Sequence, residues 1–360
     1  MRRGALLPWL AIFAALHAEA APASSREPEP GRRAAAVGAS VVPGVLVHGT
    51  GHWVAGRPRA ARRLVLLEGI GLAAFFTGGA TLVLSGASRY LVGPSAALTM
   101  SGFSLFSTSF FADVYGTSVP IDDRGEPARV APVIETELGY VYVYDPQFSY
   151  RNFLVEGVDV RWRSLRIAPR AWFALDDANQ RLRLLGSFRA YGPRPHAPAE
   201  DGSFFDVEAA VTHHRYGSDG FSTLTGELFA QGRLDLVRLD PDLRGMFGEL
   251  GTGLAVSAVD YDVPGLDADV ETLLLGRFAF GVYVGDVGRR GAEVSAYYDH
   301  RHDDFAAGLK LTGLGSGVTG HAGLLGRWYF HPNFGFLADA QVGSAAVLGL
   351  SFLYREGATP

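Results

Sequence analysis

A histidine and serine segment at residues 213–220 contains the residue types that nucleophilic catalysis requires. The segment is HHRYGSDG, so His214 precedes Ser218 by one short stretch of chain. A serine nucleophile needs a histidine as base and a third group that orients the histidine. Ser218, however, lies in a Gly-Ser-Asp-Gly sequence that is typical of a turn. The segment is therefore either a catalytic centre or an ordinary hairpin turn.

Two other histidine pairs have the spacing of metal ligands. In the sequence DHRHDD at residues 299–304, alternation would place His300 and His302 on one face of a strand, where they could bind a divalent metal. A solvated hairpin turn is the alternative. His48 and His52 are four residues apart, so a helix would present both on one face, but no third ligand follows nearby. Packing or interfacial roles are the alternative for this pair, and we expect no bound metal.

Other kinds of chemistry are not indicated. The sequence contains no P-loop, no glycine fingerprint for dinucleotides after a strand and no HExxH. Its formal net charge of -5 lacks the excess of positive charge that is typical of a nucleic-acid-binding protein. We therefore predict no cofactor and no nucleic-acid partner, and the sequence favours a protein that is not an enzyme.

The N-terminus has the features of a secretory signal peptide. Arg2 and Arg3 precede an apolar run, and Ala18-Glu19-Ala20 ends it, so we predict a signal peptide over residues 1–20. Residues 21–40 are rich in Pro, Ala and Ser, which predicts a disordered linker. The chain has no cysteine, so the exported protein has no disulfide stabilisation.

Residues 41–116 are apolar and rich in small residues, which predicts a helical hairpin. The runs 64–88 and 91–111 each have roughly the 20 residues that span a bilayer. The first run carries a single charge, Glu68, which is either a functional residue, a partner for Arg62 or Arg63, or a residue near the membrane interface. The preceding basic cluster suits an anionic lipid surface. It comprises Arg57, Arg59, Arg62 and Arg63.

After a linker over residues 117–130, the sequence changes to alternation with a period of two. From residue 131 to 355 about twelve runs alternate apolar and polar residues, as half-buried strands do, and residues 356–360 form a tail. One of these runs covers residues 305–312. Short linkers of turn residues predict antiparallel hairpins. Residues 164–180 are ambiguous, because Pro169 favours a break or an edge.

The direction of the apolar face determines the fold class. In a soluble sandwich the apolar side chains point inward, whereas in a transmembrane barrel they face lipid. The runs are near the length of a membrane-spanning strand, and aromatic residues such as Trp162 and Tyr354 lie at their ends. We predict an all-β antiparallel transmembrane β-barrel of about twelve strands with an N-terminal apolar α-helical segment. A soluble β-protein is the alternative.

The C-terminal sequence resembles the closing strands of bacterial outer-membrane β-barrels. Residues 326–336, GRWYFHPNFGF, are similar to their aromatic Pro-Asn turn, and residues 346–354, AVLGLSFLY, to their final strand. The resemblance implies a bacterial outer-membrane location, a lipid bilayer around the protein and assembly by the barrel-assembly machinery. Those barrels usually end on an aromatic residue, whereas here residues 355–360 follow Tyr354. The HHRYGSDG segment is similar to the active-site strand of outer-membrane lipid hydrolases but lacks their His-x-Ser-Asn spacing.

In this barrel the polar face lines the lumen with charges of both signs. The lumen candidates are Glu135, Arg161, Arg183, Arg189, Glu208, His214, Glu227, Glu249, Glu271, Arg277, Glu293, Arg301, Lys310, Arg327 and Asp339. Paired charges would close the bore, whereas a narrow porin-like passage would admit a small solute. The sequence favours a structural or passive-transport barrel. The alternatives are an outer-membrane lipid hydrolase and an inner-membrane hairpin fused to a periplasmic β-domain.

Overall fold

The protein is described by a computed structural model at residues 29–88, 90–145, 150–262, 269–300 and 320–357. Twelve antiparallel strands form one closed barrel in which each strand pairs with the next and β1 pairs with β12. The predicted fold class is confirmed. The predicted signal peptide, residues 1–20, lies outside the described residues.

The strands are long and most connections between them are short. Their bounds are β1 Ile134–Tyr144, β2 Asn152–Trp162, β3 Leu165–Ala174, β4 Asn179–Tyr191, β5 Phe204–Tyr216, β6 Phe221–Asp235, β7 Met246–Tyr261, β8 Asp269–Asp286, β9 Arg290–His300, β10 His321–Tyr329, β11 Phe334–Val342 and β12 Ala346–Glu356. We call the end at which β1 begins and β12 ends the base of the barrel, and the opposite end the rim. The connection between β6 and β7 lies at the base and contains two short 3-10 helices, Leu236–Arg238 and Pro241–Leu243.

Alternation along the strands separates an apolar outer face from a polar inner face. Leu138 and Leu228 on the outer face are 57% and 61% exposed, whereas the inward Glu135 and Glu227 are each 7% exposed. This is the inverted arrangement of a barrel in lipid, because a soluble barrel would bury its leucines and expose its carboxylates. The prediction that the apolar face points outward is therefore confirmed.

One strand differs from the sequence prediction. Residues 165–174, left ambiguous above, form β3, and Pro169 lies within it opposite Leu184 of β4. Proline has no N–H to donate, and the ladder between β2 and β3 is interrupted here, between the pairs Gly157↔Arg170 and Val160↔Ile167. The predicted run at residues 305–312 lies outside the described residues.

Aromatic side chains form a connected group on the outer face near the base. Trp328, Phe330 and Phe336 contact one another, and Phe336 also contacts Phe352, with ring centroids 5.4 to 6.3 Å apart. Phe334 extends the group to Tyr354. Rings at this position are typical of the interfacial girdle of a membrane barrel.

Within the described residues, four α-helices precede the barrel. Their bounds are α1 Pro30–Val41, α2 Thr50–Val54, α3 Pro58–Leu84 and α4 Val92–Ser118. Helix α1 shows that the linker prediction for residues 21–40 is wrong from Pro30 onward. The alanine-rich sequence favours a helix, and burial of Ala36 and Ser40 against the neighbouring helices holds it in place.

Helices α3 and α4 form the predicted hairpin, and two glycines allow their close approach. A Cβ added at Gly71 would lie 2.7 Å from the backbone nitrogen of Phe106, and one added at Gly102 would overlap the backbone of Phe75. Backbones in such contact gain dispersion energy along the whole interface. By length and composition, α3 is the one helix in the described ranges that could cross a membrane.

The hairpin packs against the outer wall of the barrel at β7 and β8. The Phe103 ring lies 5.4 Å from the Phe278 ring, and the Phe111 ring lies 5.6 Å from the Phe280 ring. Phe278 and Phe280 belong to the outward face of β8, because they alternate with the inward Arg277. Helix α4 therefore covers part of the apolar surface that the rest of the barrel exposes.

We predict opposite effects for alanine at two hairpin glycines. Gly102→Ala should destabilise the hairpin by about 1–3 kcal/mol, because its methyl group overlaps the backbone of α3. Gly69→Ala serves as the control and should be neutral or stabilising by about 0.5–1 kcal/mol, because nothing lies within 4 Å of its added Cβ. Thermal loss of the helical circular dichroism signal measures both. Equal effects would contradict the described helix contact.

Candidate functional site

The interior of the barrel contains most of the charged residues that the sequence singled out. The residues with inward side chains are Glu135, Arg161, Arg183, Arg189, Glu208, His214, Glu227, Glu249, Arg277, Glu293, Arg327 and Asp339. Glu271 shares the inward register of β8 but is exposed near the rim. Arg301 and Lys310 lie outside the described residues.

Arg233, which is not among the predicted lumen residues, is the centre of a charge layer at the base. Its guanidinium donates to Glu293 through Nη1 at 2.7 Å and through Nη2 at 2.5 Å, and to Glu249 through Nε at 2.8 Å. The guanidinium also lies 3.9 Å from the centre of the Phe247 ring. Since Arg233 is on β6 and Glu293 on β9, this pair spans part of the bore.

A second pair spans the bore on the other side. Arg327 of β10 lies 3.1 Å from Glu135 of β1, and the Tyr329 hydroxyl donates to the same carboxylate at 2.5 Å. The guanidinium of Arg355 stacks on the Tyr329 ring at 3.4 Å and donates to the carbonyl oxygen of Val287. The base of the bore is therefore occupied by paired side chains from several strands.

The wall formed by β2 to β6 continues the network. Arg166, also missed by sequence reasoning, donates to Asp159 at 2.7 Å and lies 3.7 Å from Glu208. Arg183 binds Glu227 with two hydrogen bonds of 2.7 and 2.8 Å, which is the bidentate geometry that favours arginine. In each pair the attraction between opposite charges offsets the desolvation penalty that an isolated buried charge would carry.

A cavity of about 380 Å³ lies inside the bore beyond this layer. Its lining extends from Glu135 and Arg327 near the base to Trp172 and Arg181 nearer the rim. Toward the rim, Trp172 belongs to an apolar cluster that includes Val143 and Tyr150. The cavity is therefore bounded by ion pairs at the base and by an apolar cluster near the rim.

The segment at residues 213–220 is not arranged as an active site, and only Asp299 and His300 of the histidine segment at residues 299–304 belong to the described residues. His214 Nε2 lies 3.0 Å from Asn179 Oδ1, and its ring stacks on Tyr216. The Ser218 hydroxyl donates instead to Asp177. His300 Nδ1 lies 3.2 Å from the Tyr298 hydroxyl, while His302 is outside the described residues. Within the described ranges, no group of three or more His, Cys, Asp or Glu residues has the arrangement of a metal site.

A second buried polar centre lies in the helical region and surrounds Asp113 of α4. Its Oδ2 accepts hydrogen bonds from the Gly49 and Gly51 backbone nitrogens at 2.8 and 3.1 Å, and its Oδ1 accepts from the His52 nitrogen at 3.0 Å. The His52 ring nitrogen Nδ1 lies 2.7 Å from Oδ1. Gly49 has φ +87, and a Cβ there would lie 2.5 Å from the Ala61 carbonyl oxygen. Asp113 therefore fixes the conformation of the chain from Gly49 to His52. We call residues 30–57, which include this segment, the foot.

His48 and Glu68 join the foot to α3 and α4. The Glu68 carboxylate accepts from the His48 backbone nitrogen at 2.9 Å. Among the described residues it forms no ion pair with Arg62 or Arg63, the partners that the sequence suggested. His48 Nδ1 lies 2.6 Å from the Ser109 hydroxyl, which itself donates to the Phe106 carbonyl oxygen. The other ring nitrogen of His48, Nε2, has no hydrogen-bond partner among the described residues.

Arginines attach the same region to the base of the barrel. Arg57 and Arg124 both donate to the Gly116 carbonyl oxygen in the last turns of α4, where cations are favoured. Arg124 also donates to the carbonyl oxygen of Asp242, in the connection between β6 and β7. Apolar residues complete the contact, with Leu64 of α3 and Leu243 of the connection both fully buried in one cluster. The helices and the barrel are therefore joined by polar and apolar contacts.

The sequence around Asp113 contains a weak indication of a buried polar site in the helix. Asp113 is the single carboxylate in the sequence of α4, and Ser109 and Thr117 lie four residues to either side of it. This spacing places the three polar side chains on one face of a helix. The partners of Asp113 in the foot lie 61 to 64 residues earlier in the chain, so the sequence alone does not identify them.

We predict that the foot loosens in acid because of His48. Burial lowers the pKa of His48, although Glu68 and Asp113 oppose the effect. Because the pKa of His48 is lower in the folded than in the unfolded chain, its contribution to stability is complete above the unfolded pKa of about 6.5. Below that pH the contribution decreases, and the folding equilibrium constant changes by at most about tenfold per pH unit. Hydrogen exchange at the Gly49, Gly51 and His52 amides, corrected for intrinsic rates, measures this loss.

Two variants test the assignment to His48. His48→Gln should reduce the pH dependence of protection, whereas His331→Gln, at an exposed turn at the base of the barrel, should retain it. Equal protection of the wild-type amides above and below pH 6.5 would contradict the prediction.

No protein-family model matches the chain, and no curated protein matches it. Solved structures similar to it include Omp33 of Acinetobacter baumannii, with 9% identity, a TM-score of 0.32 and coverage of 63% of this chain and 99% of that one. The NanC porin is 7% identical, with a TM-score of 0.37 and coverage of 61% of this chain and 99% of that one. Outer membrane phospholipase A of Escherichia coli is 12% identical, with a TM-score of 0.33 and coverage of 64% of this chain and 96% of that one. The closed strand order and the exposed apolar face of the chain itself establish that its fold is that of the outer-membrane β-barrels.

Proposed function

We propose that this protein is a structural outer-membrane β-barrel with a bore closed by ion pairs and a helical hairpin embedded in the membrane beside it. The observation that carries the proposal is the contact of Arg233 with Glu249 and Glu293. This contact joins β6, β7 and β9 across the base of the bore. A barrel that conducts freely leaves its constriction open to water and ions.

The energetics of buried charge support a closed bore. The side chains of Arg233 and Glu249 are each 14% exposed, and that of Glu293 is 22% exposed. Removing one member of such a buried pair leaves an uncompensated charge, at a typical cost of about 3–5 kcal/mol. Solute passage would require these contacts to separate, so the resting bore opposes it.

The apolar outer surface supports a membrane location for the barrel and the hairpin together. Helix α4 contacts the outward Phe278 and Phe280, while α3 exposes apolar side chains such as Phe76, at 65%. The hairpin and the barrel wall therefore belong to the same apolar layer. This argues against an inner-membrane hairpin tethered to a periplasmic domain. Export through a cleaved signal peptide and insertion by the barrel-assembly machinery complete the proposal.

Passive transport of a small solute is the second candidate. The cavity of about 380 Å³ favours it, because a fully packed structural barrel would fill this space with side chains. A lipid hydrolase has less support. His214 is fully buried on the inward side of the wall, whereas a lipid ester would approach from outside.

Planar-bilayer conductance tests closure of the bore. The wild-type protein should show no stable unitary steps, and the triple variant R233A/E249A/E293A should conduct, because it removes the Arg233 group of charges from the base. The variant R189A/D206A is the control. It removes an ion pair with a 2.7 Å contact, but between the neighbouring strands β4 and β5, and should remain silent.

Heat-modifiable migration on gels verifies that each variant is a folded barrel. Stable unitary steps from the folded wild-type protein would contradict closure and favour passive transport. A silent triple variant would show that the Arg233 contacts are not what closes the bore.

A further inference from the structure

Three arginines at the start of α3 form a basic patch that the barrel and the foot do not use. Arg59 and Arg62 are exposed and Arg63 is half-buried. The described residues include no carboxylate within ion-pair distance of these three side chains. Their neighbour Arg57, in contrast, is buried and bonded to the Gly116 carbonyl oxygen. We call Arg59, Arg62 and Arg63 the arginine patch.

The patch lies at the boundary between polar and apolar surface. Immediately after it, α3 exposes the apolar side chains of Val65, Leu66 and Ile70, at 41%, 52% and 43%. Shortly before it, Trp53 is 58% exposed. A tryptophan and several arginines at the start of a lipid-facing helix mark the level of lipid headgroups.

The contacts of the foot place this boundary at the base of the barrel. The Gly116 carbonyl oxygen, bonded by Arg57, lies in the last turns of α4, and a Cβ at Gly116 would lie 3.4 Å from Met246, the first residue of β7. The aromatic group of Trp328 and Phe330 lies at the same end of the barrel. The arginine patch therefore lies at the end where the barrel wall also has its interfacial rings.

We propose that the arginine patch binds the headgroup of an anionic phospholipid whose acyl chains lie along the exposed face of α3. Guanidinium groups match phosphate oxygens in a bidentate geometry, and the positive end of the α3 dipole adds to their charge. The apolar side chains after Arg63 provide the surface for the acyl chains. This binding does not depend on whether the bore is closed.

Quenching of Trp53 by brominated lipid measures the binding. The chain has five tryptophans, and Trp172 faces the bore. The background W9F/W162F/W328F therefore leaves Trp53 as the tryptophan that lipid reaches. The full chain is reconstituted in phosphatidylcholine vesicles that contain either brominated phosphatidylglycerol or brominated phosphatidylcholine. The ratio of their quenching gives the relative binding constant of the anionic lipid.

The wild-type arginine patch should prefer phosphatidylglycerol by about tenfold, and the preference should fall as salt is added. The variant R59Q/R62Q/R63Q should lower the ratio to about one. The control R289Q/R290Q removes two exposed charges, one in the turn before β9 and one at the first residue of β9, also at the base, and should retain the preference.

Three outcomes would overturn the proposal: no preference in the wild-type background, an unchanged preference in the triple variant, or an equal loss in the control. Heat-modifiable migration and the helical circular dichroism signal verify that each variant has folded. Bilayer conductance is measured on the same samples, so failure of lipid binding is distinguished from failure of bore closure.

Discussion

The pairing of β1 with β12 is the constraint on which the rest of the structure depends. Eleven residue pairs join the two strands, from Ile134↔Glu356 to Tyr144↔Ala346. In an apolar layer a strand edge without partners would leave unsatisfied N–H and C=O groups, and closure removes that edge. Closure also encloses the inner face, so the charges there must pair with one another. The contacts of Arg233 and Arg327 therefore follow from the closed sheet as much as from their own sequence positions.

Asp113 has a comparable role in the helical region. A single carboxylate satisfies three backbone N–H groups and one imidazole of the foot, and hydrogen bonds to a charged acceptor are stronger than those between neutral groups. Arg124 then joins the end of α4 to the connection between β6 and β7. Through these contacts the hairpin has a defined position on the barrel wall and covers one sector of its circumference.

The sequence predicted the features that depend on local periodicity. Alternation identified the outward face and most strands, and the apolar runs identified α3 and α4. Strand β3 was left ambiguous because Pro169 weakens a strand pattern, although its neighbours in space supply the pairing. Helix α1 was missed because its proline and serine content suggested a linker, whereas its alanines favour a helix that burial of Ala36 and Ser40 holds in place. The pairs Arg233–Glu293 and Arg327–Glu135 join strands that are not neighbours, so their partners required the folded structure.

The position of the hairpin on β7 and β8 has a consequence for the order of folding. The α3 and α4 contact at Gly71 and Gly102 is local in the chain and can form early. The surface that receives Phe103 exists only after Phe278 and its neighbours have been synthesised and paired. Contacts between such distant segments form late, because loop-closure entropy must be overcome first. The hairpin can therefore form as a separate apolar unit before the barrel wall is ready to accept it.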